Sequence, residues 1–175
     1  MKNFVLIGLL IAAAASTVLA AAPGEEGHGN FHHNPYAGQQ SRRVASLPDD
    51  EVTAILAGRG LGLARPAELN GYPGPMHVLE LADGLKLSPE QKSVIGGIFD
   101  RMKTRAQVAG GEYISAEAEL DASFKTGAVE AVGKLAHAAD AKRSDLRLAH
   151  LNAHLETYAA LSVEQRATYK NLRGY

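Results

Sequence analysis

Leu87-Ser88-Pro89-Glu90-Gln91 recurs as Leu161-Ser162-Val163-Glu164-Gln165. In each copy a serine stands where its hydroxyl can accept a backbone N–H of the first helical turn. The glutamine three residues on can reach back to the serine's own amide, completing a capping box. Proline at the first helical position suits the first copy, because that position has no intrahelical use for an N–H. The leucine before each serine is placed as a hydrophobic staple. Leu87, Ser88 and Gln91, and Leu161, Ser162 and Gln165, therefore mark two helix starts. A single capping box says no more than that, but two copies bracketing the same stretch frame an architecture.

Between the copies the apolar period is helical. From Ser88 to about Lys125, Ile95, Phe99, Met102, Ala106, Ala109, Tyr113, Ala116 and Leu120 alternate spacings of four and three, the pattern of a helix packed lengthwise on another. Gly96-Gly97 and Gly110-Gly111 weaken that helix and are read as bends or close approaches, not as ends. Thr126-Gly127 is the turn. Ala128 to about Ala160 returns with Val132, Leu135, Ala139, Leu146, Ala149 and Ala153 on one face. The fold class expected is all-α, a long antiparallel helical hairpin with short flanking helices. Pairing about the turn puts Arg101 and Arg105 level with Leu148 to Asn152, near Arg147 and one turn from Arg143, as a basic band.

Upstream, Leu47 to Ala57 reads as a short helix capped by Ser46 and stopped by Gly58, with Asp49, Asp50 and Glu51 in its first turn. Gly58 to Pro75 has loop composition, and Pro75 to Gly84 reads as a second short helix. Residues 21–46 carry glycine, polar residues and His28, His32 and His33 without an apolar period, and are expected to be a flexible arm. Residues 1–20 have a basic start at Lys2, an apolar run and Val18-Leu19-Ala20 before a cleavage point, the pattern of a secretory leader. The domain expected from this pass is 47–175.

The 175 residues contain no cysteine, which excludes a disulfide framework and a lipid-modified cysteine. The 18 basic and 19 acidic residues give a net charge of −1, made one unit more negative by loss of Lys2, so no general attraction to nucleic acid is expected. Sequence patterns for a nucleophile elbow, a phosphate loop or a zinc-protease helix are missing, and the protein is read as a non-enzyme.

The paired Leu-Ser-x-x-Gln motifs, the leader, the lack of cysteine and the run Leu148-Ala149-His150-Leu151 resemble the Spy/CpxP family of periplasmic stress proteins and the related metal-resistance proteins. The resemblance covers about residues 76 to 172. It implies a curved all-helical homodimer that holds unfolded periplasmic proteins without ATP, or a periplasmic inhibitor or sensor acting through a membrane-bound stress or metal regulator. On the first implication Arg101, Arg105, Arg143 and Arg147 are the expected client-binding residues.

The metal alternative has its own candidates. His150 and His154 are four apart on one helix face, a spacing that lets two imidazoles reach one ion. His77 and Glu80, three apart on the second short helix, are the expected completing ligands, with zinc or another divalent transition metal as the cation. The plainer reading makes the same histidines packing residues between apolar faces. No cofactor is required by either reading.

Overall fold

Among the described residues six α-helices form. They are α1 (Asp49–Leu56), α2 (Arg65–Leu69), α3 (Pro75–Glu80), α4 (Pro89–Thr126), α5 (Val132–Ala160) and α6 (Val163–Arg173). The computed structural model describes residues 34–174, and among these no strand forms. The leader at residues 1–20 and His28, His32 and His33 of the arm lie outside the described residues.

The hairpin of α4 and α5 is the frame. α4 runs unbroken through both glycine pairs, and Gly127 ends it at φ +74°, in the left-handed region glycine enters freely. The return does not begin directly as α-helix. Ala128 leaves helical geometry and Val129–Ala131 form a 3₁₀ turn before α5 starts at Val132. Ion pairs cross the hairpin at two levels, Lys142 to Glu112 at 2.8 Å close to the expected register and Arg101 to Glu156 at 2.8 Å one turn beyond Asn152.

Two apolar cores sit on the same hairpin. In the first, Val44, Leu47, Val52 and Ile55 pack against Ala106, Tyr113 and Ile114 of α4 and Leu146 of α5. The packed chain therefore begins before residue 47. Val44 is only 1% exposed, so the last residues of the supposed arm contribute core surface. Ser46 is not the cap of α1. Pro48 occupies the N-cap, and the Ser46 hydroxyl instead donates to Glu117 of α4 at 2.6 Å. The second core joins Val78, Leu85, Leu87, Ile95, Leu161 and Tyr169 at the open end of the hairpin.

The segment expected to be loop contains α2, whose Arg65-Pro66 start places proline in the first turn. α3 is shorter than expected. The chain leaves it after Glu80 through a turn in which the Leu85 N–H reaches the Leu81 carbonyl and the Leu87 N–H that of Ala82.

One contact fixes how α1 sits on the hairpin. A Cβ on Gly110 would stand 2.5 Å from Ile55 Cγ2 and 3.2 Å from its carbonyl oxygen, so only glycine admits α1 at this depth. Gly111 next to it would place a Cβ in open space. The two neighbours should respond oppositely. In urea unfolding, Gly110→Ala should destabilise by about 1–3 kcal/mol through overpacking. Gly111→Ala should stabilise by up to about 1 kcal/mol through helix propensity. Equal effects would refute the close-approach role of Gly110.

Candidate functional site

Both capping boxes form. Ser88 Oγ accepts the Gln91 N–H at 3.1 Å, and the Ser88 N–H donates to Gln91 Oε1 at 3.2 Å. Ser162 and Gln165 do the same at 3.2 and 2.9 Å. Packing the starts of α4 and α6 together then brings the two glutamines face to face. Gln91 Nε2 donates to Gln165 Oε1 at 2.8 Å, and Gln165 Nε2 donates to Gln91 Oε1 at 2.9 Å. The second N–H of each amide is used as well, Gln91 on the Ala160 carbonyl at 3.0 Å and Gln165 on the Leu85 carbonyl at 3.3 Å. Each side-chain amide thereby caps its own helix and fastens the other. The periodic sequence showed the caps; it gave no sign of the pairing.

Around this clasp the sequence profile of the LTXXQ motif family protein matches residues 75–173. The chain belongs to the LTXXQ motif family. This family includes the Spy/CpxP and heavy-metal resistance proteins. Its motif name carries threonine where this chain has Ser88 and Ser162, and the acceptor oxygen the cap needs is present in either residue. No curated protein and no solved structure matches the chain. No described helix is long and apolar enough to cross a membrane.

The expected basic band is divided among different tasks. Arg101 pairs with Glu156. Arg147 Nε donates to the Leu63 carbonyl at 3.2 Å and so holds the segment ahead of α2. Arg143 lies near enough to Tyr113 to act on its phenol, whose pKa burial and the Glu117 charge push up to about 12. Arg105 is exposed on α4.

The histidine candidates converge more loosely than a metal shell requires. His77, His150 and His154 all line one cavity between the hairpin and the α1 to α3 segment. His77 Nδ1, however, turns to its own Glu80 at 3.1 Å. His154 Nδ1 donates to the Tyr72 carbonyl at 2.7 Å, with Glu68 Oε2 at 3.8 Å. Among the described residues no group of three or more His, Asp or Glu side chains is placed to hold one ion. The four-ligand shell of His77, Glu80, His150 and His154 is therefore not assembled: His77 and Glu80 contact each other, while the Tyr72 carbonyl holds the His154 ring by its Nδ1.

Glu68 is the residue the sequence reading missed. Its carboxylate accepts the Tyr169 hydroxyl at 2.6 Å, lies 3.3 Å from Arg173 Nε, and accepts the Gly74 N–H at 3.3 Å. It thereby ties α2 and the start of α3 to α6. The signal available was Arg65-Pro66-Ala67-Glu68, a proline-led helix start inside a stretch otherwise rich in glycine.

His150 is 4% exposed, and its Nε2 has no hydrogen-bond partner among the described residues. Burial, and then repulsion from His154, hold its pKa below the usual value of 6.5. The unfolded chain thus takes up a proton at a pH where the folded chain does not, and stability is lost as pH falls through about 6.5.

Two outcomes follow. Ser88→Ala and Ser162→Ala should each lower unfolding stability by about 0.5–2 kcal/mol, whereas Ser→Thr at either site should retain most of it. The urea midpoint of the wild type should fall between pH 7.5 and 5.5, and it should fall less in His150→Gln. His154 and Glu68 are present in both proteins, so identical pH slopes would remove His150 as the cause.

Proposed function

We propose that the protein is a periplasmic, ATP-independent chaperone that holds unfolded envelope proteins, acting as a homodimer. Membership of the LTXXQ motif family supports an envelope-stress role. The observation that carries the chaperone reading is the side of the hairpin away from α1 to α3. Val94, Arg101 and Val108 recur every seven residues on α4, as Leu148 and Leu155 do on α5, and all four apolar side chains are about half exposed or more. Seven residues are close to two helical turns, so each set forms a stripe. The Arg101–Glu156 and Lys142–Glu112 ion pairs bridge the two helices between these stripes.

An apolar stripe interleaved with charge suits unfolded chains, which expose both kinds of group. Apolar contact supplies affinity, and charge speeds encounter in a salt-dependent way. None of this chemistry consumes a nucleotide.

The test is suppression of aggregation of a chemically denatured client, followed by light scattering, with metal-free protein at near-stoichiometric ratio. Wild type should suppress scattering. A variant carrying Val94→Ser, Val108→Ser, Leu148→Ser and Leu155→Ser should keep its melting temperature, because these side chains are exposed, and should protect several-fold less well. Equal protection by the two proteins would overturn the proposal, as would no protection by wild type. Tight zinc uptake by the chain starting at Asn34, which excludes His28, His32 and His33, would favour a metal-handling role instead.

A further inference from the structure

The cavity that collects the histidines has a volume of about 780 Å³, within the roughly 300–1,000 Å³ of small-molecule sites. It lies along the hairpin between the two apolar cores, which contact α4 and α5 on either side of its Phe99, Met102, His150 and His154 lining. Leu61, Leu69 and Met76 also line it, and each is about half exposed. Large apolar side chains left in water around one concavity mark a surface with an apolar occupant.

Its charged lining is mainly cationic. Arg59, Arg65 and Lys103 line the cavity, and among the described residues no carboxylate is within ion-pair distance of any of them. The only acid in the lining is Glu68, already engaged by Tyr169 and Arg173. His150 adds a buried ring with no hydrogen bond to any described residue, its Nδ1 and Cε1 edge turned to Gly60 at 3.6 and 3.7 Å from where a Cβ would stand.

Leu61 carries an independent sign. Its backbone has φ +44°, in the left-handed region where a bulky side chain is disfavoured and asparagine or glycine is preferred. A half-exposed leucine held there is local backbone strain on the cavity rim, the kind that clusters at ligand sites.

We propose that this cavity binds a fatty-acid carboxylate, with the alkyl chain among Leu61, Leu69, Met76, Phe99 and Met102 and the head group facing Arg59, Arg65 and Lys103. The site is separate from the stripes on the opposite side of the hairpin, so it stands whether or not the chaperone reading does.

The experiment is calorimetric titration of the chain starting at Asn34 with decanoate below its micelle concentration, with decanol and acetate as comparisons. Wild type should bind one decanoate per chain, with decanol at least about tenfold weaker, since charge-assisted hydrogen bonds contribute about 1.5–3 kcal/mol. Acetate should show no binding. A variant with Arg59→Gln, Arg65→Gln and Lys103→Gln, all exposed positions, should fold normally and bind decanoate as weakly as decanol. Leu61→Asn should raise the melting temperature while weakening decanoate, a pairing that a purely structural role for Leu61 does not produce. Amide shifts on titration should centre on residues 58–77 and 99–103. Equal affinity for decanoate and decanol, no binding of either, an unaffected charge variant, or shifts centred on Val108 and Leu148 would each overturn the proposal.

Discussion

Two glutamine side chains that exchange hydrogen bonds across the open end of a helical hairpin hold this structure together. Gln91 and Gln165 each belong to a capping box, so neither can move without uncapping a helix, and neither can be replaced without leaving the other's amide unsatisfied. Their contact joins the starts of α4 and α6 directly above the core of Val78, Leu85, Leu87, Ile95, Leu161 and Tyr169. Tyr169 is fully buried there, and its hydroxyl donates to Glu68, which carries the constraint outward to α2. A local helix signal thereby becomes a long-range tether. This explains why the motif occurs twice: one copy caps a helix, and two copies close the hairpin.

What was legible in the sequence was what is decided locally. Ser88 and Ser162 cap helices because of residues three positions away, Gly127 turns the chain because it alone tolerates φ +74°, and the four-and-three spacing from Ile95 to Ala116 lies on the buried face of α4. What was not legible depends on partners distant in the chain. Ser46 looks like a cap until Glu117 is found beside it, and Val44 looks like arm until the notch at Gly110 brings α1 close enough to cover it. The 3₁₀ turn at Val129–Ala131 between Gly127 and α5 left no mark in the periodicity either. For the candidate site, the sequence singled out His77, His150 and His154, which line one cavity. It could not show that the Tyr72 carbonyl, distant in the chain, would hold the His154 ring by its Nδ1.

The hairpin consequently has two unlike sides. One is covered by α1 to α3 through the Ile55–Gly110 notch, the Arg147–Leu63 hydrogen bond and the Glu68 network, with a cavity left between two cores. The other side keeps Val94, Val108, Leu148 and Leu155 in solvent, bridged only by ion pairs. Those pairs are exposed and of small stabilising value, typically below about 1 kcal/mol each. Stability thus resides on the covered side, and the open side is free to vary in what it contacts.

The clasp is tested most directly by a double-mutant cycle of Gln91→Ala and Gln165→Ala in urea unfolding. Each single change removes a cap and strands the partner amide, while the double change removes both halves of the pair at once. The effects should therefore be non-additive, with the double variant less destabilised than the sum of the singles by about 0.5–3 kcal/mol. Additive losses, to within a few tenths of a kcal/mol, would mean that the glutamines act only on their own helices, and would contradict the account of two motifs closing one hairpin.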